Sequence, residues 1–276
     1  MKKFVQQWLA GLAKLIITKH KPKVIGITGS VGKTSTRDAI YAVVSTAFSV
    51  RKGQRNFNNE FGLPFAILGV DTPGRNPVKW LWVFAKGYLM LWFGVSVPQV
   101  MVLEMGVDKP GDMDYLVNIA RPDIAVVTNI GVSHYEFFKT QEAVAAEKGK
   151  IVEALADNGF AVLNNDNELA KAQAGKTQAR SISYGFRDDS DVRIRIIEED
   201  FNPPSHTKIE VVTHYNSFEA TVAGVGTPHL SAIAAGIAVG LNLNIPQEDI
   251  IKGIKTYRPV VGRLNILAGI KKDCDY

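Results

Sequence analysis

Four short groups of residues carry side chains that could handle phosphate and a metal ion. The first is Thr28-Gly29-Ser30-Val31-Gly32-Lys33-Thr34-Ser35. Glycine leaves backbone N–H groups open to an anion, because no Cβ stands in the way. A lysine directly after the second glycine supplies a point charge for β- and γ-phosphates, and the next threonine hydroxyl suits Mg²⁺. The run departs from G-x-x-x-x-G-K-[ST] at one place, where the first glycine is replaced by Ile27. A strand–turn–helix that merely exposes a lysine is the plainer alternative.

The other groups are built on Glu104, His134 and Lys148. Glu104 closes an apolar run in Leu103-Glu104-Met105-Gly106. A carboxylate there can serve a hard cation on nucleotide phosphates, or it is a solvated strand end. His134 follows Asn129 by five residues. It is an unusual Mg²⁺ ligand, and a satisfied loop histidine is the plainer alternative. Lys148 lies in Ala145-Ala146-Glu147-Lys148-Gly149-Lys150, where pattern alone makes it an exposed helix lysine. Gly149 costs a helix interior about 1 kcal/mol against alanine, which suggests close approach of another backbone.

The elements that must position these groups alternate. Apolar runs at 24–27, 100–103, 124–128 and 160–163 read as buried strands, and 34–47, 111–120 and 141–156 read as helices. The fold class is therefore α/β: a mostly parallel sheet flanked by helices, with a phosphate loop after its first strand. Ligands in such sheets bind beyond the carboxyl ends of strands, so the loops after 24–27, 100–103 and 124–128 converge on one crevice. Beyond Lys176 the character changes. Runs at 181–184, 192–197, 208–212 and 217–222 read as a small antiparallel meander, followed by helices at 230–241 and 247–256.

Of 276 residues, 46% are hydrophobic and 21% charged, which fits a globular chain with a sizeable core. The net charge of +5 is modest. Phosphate-bearing substrates explain it as well as nucleic acid does; with the phosphate-handling motifs above, no nucleic-acid partner is expected. The single cysteine, Cys274, excludes a disulfide framework and points to a reducing, cytoplasmic setting. Residues 1–21 read as an amphipathic helix, since Lys14 interrupts the apolar run and no small-residue cleavage site precedes Lys19. The apolar run 80–93 is too short to span a bilayer and holds Lys86, so it reads as a packing helix. Peripheral membrane contact is the alternative for both segments.

These motifs, in this order, resemble the central ATPase domain of the Mur ligases. The resemblance also rests on Asn56-Phe57-Asn58-Asn59-Glu60-Phe61-Gly62-Leu63-Pro64, Pro110-Gly111-Asp112-Met113, Thr128-Asn129-Ile130-Gly131 and Glu147-Lys148-Gly149. It covers residues 22–270 as the ATP-binding domain and leaves 271–276 as the start of a linker towards a further domain. It is similar to the branch that adds D-Ala-D-Ala to a UDP-muramyl peptide. The family's shortened phosphate loop accounts for Ile27.

The resemblance implies a set of roles. Thr28, Gly29, Ser30, Val31, Gly32, Lys33, Thr34 and Ser35 would hold ATP, with Asn59 lining the phosphate site and Arg263 near the nucleotide. Thr34, Glu104, His134 and Lys148 would serve two Mg²⁺ ions, the last as a carbamylated lysine. Lys33, Lys148 and His134 would be catalytic. The implied reaction is an ATP-dependent carboxylate–amine ligation through an acyl phosphate. Its substrates would be a UDP-muramyl peptide and D-Ala-D-Ala, in peptidoglycan precursor synthesis. The segment around His229 lacks an asparagine that the family often uses near adenine. Two other readings stand beside this one: a nucleotide-binding switch module, and a Mur-like or folylpolyglutamate-like ligase with another acceptor.

Overall fold

The computed structural model describes residues 2–54, 57–131, 136–202 and 204–259. The positions of Asn56, His134, Arg263 and Cys274, and the linker expected over 271–276, lie outside the described residues.

Apolar runs buried on both faces form the centre of the sheet: β1 (Lys23–Thr28), β3 (Val100–Glu104), β4 (Ile124–Val127) and β5 (Phe160–Asn164). Short β2 (Val50–Lys52) sits at one edge, and β6 (Arg180–Gly185), β7 (Val192–Asp200), β8 (His206–Thr213) and β9 (Ser217–Ala223) extend the other. The nine strands lie in the order β2-β3-β1-β4-β5-β6-β7-β8-β9. Ile27 stands opposite Glu104, and Thr28 opposite Val127. The strand order reverses at β1, so the loops beyond β1, β3 and β4 open on one crevice.

The expected meander is smaller than its sequence suggests. β6 pairs in parallel with both β5 and β7, and only β7, β8 and β9 run antiparallel. A crossover through α7 (Glu168–Lys171) and a 3-10 turn at Ala172–Lys176 carries the chain from β5 to β6. That crossover turns β6 parallel, so the meander continues the same sheet.

Helices cover both faces. On one side lie α2 (Lys33–Val44), α8 (Thr227–Asn242) and α9 (Gln247–Thr256). On the other lie α1 (Lys2–His20), α3 (Gly62–Leu68), α4 (Pro77–Phe93), α5 (Asp112–Ile119) and α6 (Gln141–Glu153). The start of α4 is set by Asn76, whose side chain accepts from Val78 N and Lys79 N, with Pro77 in the first turn. Thr140 caps α6 through Ala143 N. The expected N-terminal helix is α1, which buries Leu9, Leu12 and Ile16 against α3 and α4.

Glycines set how closely α2 meets its neighbours. A Cβ on Gly236 of α8 would stand 3.1 Å from Ala39 O, and one on Gly253 of α9 would stand 2.6 Å from Val43 Cα. Gly240 likewise faces Val43. The pairings 39–236 and 43–240 make α2 and α8 parallel. Because backbone cannot yield as a side-chain tip can, Gly253→Val should overpack this contact and cost about 1–3 kcal/mol. Urea unfolding of the variant against the parent checks this.

Candidate functional site

β1 ends at Thr28, and the next four residues form a loop held by the exits of β3 and β4. Ser30 N donates to Asn129 O at 2.6 Å, and Val31 bridges to Asn129. The Thr128 hydroxyl donates to Val31 O at 2.7 Å. Ser30 Oγ donates to Gly131 O at 2.9 Å and accepts from Gly131 N at 3.1 Å. On the other side, the Thr28 hydroxyl donates to Met105 O at 2.8 Å. Two positions here require glycine. Gly29 has φ 148° and a Cβ on it would strike Thr128 Oγ1; Gly32 has φ 89° and turns the chain into α2.

Lys33 opens α2 and folds back on the loop, with Nζ donating to Gly29 O at 2.5 Å and to Ser30 O at 3.4 Å. Thr34 Oγ1 donates to Glu104 Oε2 at 3.3 Å, so the first turn of α2 meets the end of β3. Glu104 is 3% exposed. Its other oxygen lies 3.0 Å from Arg37 Nη1, and Arg37, also buried, pairs with Asp38 at 2.8 Å. Burial raises the Glu104 carboxyl pKa; the Arg37 and Lys33 charges and the Thr34 hydrogen bond oppose that rise.

The alternative of a solvated strand end therefore fails for Glu104. Arg37 was not singled out from sequence. Its only signal is its place four residues after Lys33, one helical turn on.

Lys148 also departs from the exposed helix lysine that pattern predicts. It is 1% exposed. Its neighbour Glu147 is buried because it caps α5, accepting from Gly111 N and Met113 N, each at 2.9 Å. Burial, then the Lys33 charge, lowers the Lys148 pKa from 10.5 to about 7, against the pull of Asp108 and Glu147. Gly149 makes room not for a backbone but for the side chains of Gln173 and Lys176.

Asn59 has a local task. Its Oδ1 accepts from Gly62 N at 2.9 Å and Phe61 N at 3.3 Å at the start of α3, and it lines a separate recess with Phe57, Phe65 and Trp80. The loop still reaches the site through Asn58, whose carbonyl accepts from Gly106 N at 2.8 Å.

A cavity of about 740 Å³ opens beside the phosphate loop. Gly32, Ser35, Thr36, Thr128 and Asn129 line it, as do Thr227, Pro228 and His229 at the start of α8. The N-termini of α2 and α8 thus both open on it, a setting that favours anions. Phe186 adds apolar surface, and the His229 ring at the cavity wall stacks on the buried Tyr257 at 6.5 Å between ring centroids. Asp166 also lines the cavity, but both its carboxylate oxygens accept from Phe186 N at 3.0 Å, so they hold the turn after β6. Phe186, Asp166 and Tyr257 carry no local motif that sequence reading could have found.

Among the described residues, no three His, Cys, Asp or Glu side chains gather as a ready-made metal cluster. The oxygen pair of Thr34 and Glu104 nevertheless fits Mg²⁺. That ion keeps most of its waters and takes one or two carboxylates beside nucleotide phosphates.

Two outcomes follow from the buried charges. Arg37→Met leaves Glu104 without its guanidinium and should cost about 3–5 kcal/mol in urea unfolding. For Lys148, the folded amine loses its proton near pH 7 and the unfolded one near 10.5. The unfolded state binds more protons between these values, so stability should rise with pH across that window. In CO₂-free buffer, Lys148→Met should be more stable than the parent at pH 7, and the difference should shrink towards pH 10.5. Thermal melts across the range measure this.

Residues 88–240 match the family described as Mur ligase middle domain, more than half of the chain. The UDP-N-acetylmuramoyl-tripeptide–D-alanyl-D-alanine ligase of Bacillus subtilis (strain 168) is 30% identical over 259 residues, covering 94% of this chain and 50% of that protein. The MurF ligase of Thermotoga maritima in complex with ADP superposes with a TM-score of 0.76 at 27% identity, over 94% of this chain and 54% of that one. MurF from Acinetobacter baumannii gives a TM-score of 0.77 at 23% identity, over 96% and 53%. The chain spans about half the length of the curated relatives it matches. With more than half of its residues matched by the family model and a 30% identical relative aligned over 94% of its length, the chain belongs to the Mur ligase family.

Proposed function

We propose that residues 22–270 are the ATP-binding core of a ligase that joins D-Ala-D-Ala to a UDP-muramyl tripeptide in peptidoglycan precursor synthesis. The relatives' names and the ADP of the Thermotoga maritima structure support this reading. The observation that carries it is the Thr34 hydroxyl on the Glu104 carboxylate at 3.3 Å, directly after the Gly32-Lys33 turn. On this reading a segment following residue 270 links to a further domain. Substrates that carry a nucleotide place the work in the cytoplasm. Peripheral contact with a membrane surface, through α1 and α4, belongs to the same proposal.

In the proposed reaction, a carboxylate oxygen of the muramyl peptide attacks the γ-phosphorus of ATP. The bond to the β-phosphate oxygen breaks, and ADP leaves. The amine of D-Ala-D-Ala then attacks the acyl carbon, phosphate departs with the C–O electron pair, and the amine loses a proton. Such transfer is catalysed by positioning and charge neutralisation more than by covalent protein chemistry. The loop N–H groups, Ser30, Val31 and Ser35 would cradle the phosphates. Lys33 would swing from the Gly29 and Ser30 carbonyls to the β- and γ-phosphates. Thr34 and Glu104 would hold Mg²⁺, which when bound neutralises phosphate charge. His134 and Arg263, outside the described residues, would take the roles the resemblance implies, His134 serving the metals and Arg263 the nucleotide.

Lys148 would act as a carbamate. With a pKa of about 7, much of its amine is neutral at physiological pH. The nitrogen attacks CO₂, a C–N bond forms, and one proton leaves, giving an anion suited to a second Mg²⁺. Unshifted lysine, with a pKa of about 10.4, is almost wholly protonated and cannot do this at neutral pH.

Calorimetry with Mg-ATP should give saturable binding that Lys33→Ala weakens at least tenfold. In the full-length protein, ADP release should require both substrates, and Glu104→Ala or Lys148→Ala should lower it at least a hundredfold, with short carboxylic acids partly restoring the latter. Normal turnover in Lys33→Ala or Glu104→Ala would overturn the role assignment. ADP release that ignores both substrates would favour the switch reading.

A further inference from the structure

α4 is inside out on one side. Its buried stripe is Val83, Gly87 and Met90, packed on α1 and α3. The opposite stripe is Val78, Leu81, Trp82, Ala85, Leu89, Trp92 and Phe93, all exposed. Leu81 is 69%, Trp82 58%, Trp92 65% and Phe93 76% accessible. Their spacing puts them on one face along the whole helix. The outer face of α9 carries Glu248, Lys252 and Lys255 instead, as a water-facing helix should. Single exposed apolar residues need no explanation, but a contiguous apolar face marks an interaction surface.

α1 lies beside α4 and parallel to it. Trp8 packs edge-on to Phe84 at 4.6 Å, Leu12 meets Gly87, and Lys19 Nζ lies 5.0 Å from the Trp92 ring centroid. The exposed side of α1 carries Lys3, Phe4, Lys14, Leu15 and Lys19. Basic and apolar groups therefore sit side by side on one surface. Charge of the other sign is missing from these segments: the sequence contains no Asp or Glu in residues 1–37 or in residues 72–103. α4 itself holds two lysines: Lys79, exposed in its first turn, and Lys86, which turns away from the apolar stripe and donates to Gly69 O at 2.6 Å.

We infer that the α1–α4 surface binds anionic phospholipid bilayers, with Trp82, Leu89, Trp92 and Phe93 as anchors and Lys3 and Lys19 at the headgroups. This rests on the peripheral contact proposed above and gives it a lipid class and a set of anchors. The physics favours a lipid over a protein partner. Tryptophan, tyrosine and phenylalanine settle at the boundary of acyl chain and headgroup, while lysine stems lie along apolar surface and keep their ammonium groups with phosphate. Each lysine near an anionic surface contributes about 1 kcal/mol, a gain that salt screens. The helix lies on the bilayer and does not cross it. α4 has 17 residues, fewer than about 20 needed for a span, and among the described residues no helix is long and apolar enough to cross.

The test is flotation of the full chain with vesicles of phosphatidylcholine alone and of phosphatidylcholine with phosphatidylglycerol. Binding should favour the anionic vesicles at least tenfold and weaken from 50 to 300 mM salt. Tryptophan emission should shift to the blue on binding. Trp82→Ser with Leu89→Ser and Trp92→Ser should lower the affinity at least tenfold. Lys3→Glu with Lys19→Glu should remove the preference for anionic lipid. A thermal melt matching the parent keeps these losses attributable to the surface. Equal binding to both vesicle types would overturn the anionic class while leaving peripheral contact standing. No binding to either would overturn both. A dimer in light scattering that the serine variant abolishes would assign the face to a second copy and overturn the lipid inference.

Discussion

A carboxylate buried at the end of a strand must have a cation beside it, and the site is arranged around that need. Glu104 is closed off from water by β1 and α2. Arg37 meets one of its oxygens at 3.0 Å, and the other is left to the Thr34 hydroxyl. Two charges in a dry setting tolerate little displacement, because losing either partner strands the other. The first turn of α2 is therefore tied to β3 as firmly as to β1. Thr28 strengthens the tie by bonding Met105 O, and Asp38 extends it to Lys52 on β2, at 2.8 Å. The phosphate loop is held from outside, by groups that do not belong to it.

What could be read from the sequence follows from how each residue earns its place. The loop was legible because Gly32-Lys33-Thr34 lies between a strand pattern and a helix pattern, and those patterns are local. Glu104 was legible as the polar end of an apolar run. Lys148 was not legible from pattern, since α6 is buried by its small residues Ala145 and Gly149 and by Glu147, which turns inward to cap α5. Only resemblance pointed to it. Arg37 was missed because a charged residue in a helix reads as solvated until its partner on β3 is known. β6 was misread for the same kind of reason. Its own residues suit either direction, and the direction came from the crossover at 168–176.

The two helical layers divide the work. α2, α8 and α9 form the layer on the cavity side, packed through small residues and close backbones. α1, α3 and α4 form an outer layer with its own aromatic cluster, in which Trp8, Phe84, Trp80 and Phe65 meet at 4.6–6.1 Å between ring centroids. Among the described residues, that outer layer meets the site through Asn58, whose carbonyl accepts from Gly106 N. Changes to its exposed face can therefore leave the chemistry of the phosphate loop untouched.

The parallel pair α2–α8 has a mechanical meaning. Both helices begin at the cavity, and glycines lock them together further along, at 39–236 and 43–240. Their N-termini are thus two prongs of one gauge, and the close packing at these pairs sets the gap between Gly32 and His229. On the proposed reading, a nucleoside entering there would meet a slot of set width and displace solvent from it. Clamping on such a ligand would then fall to parts of the protein other than α2 and α8, coming down over a seat already cut to size.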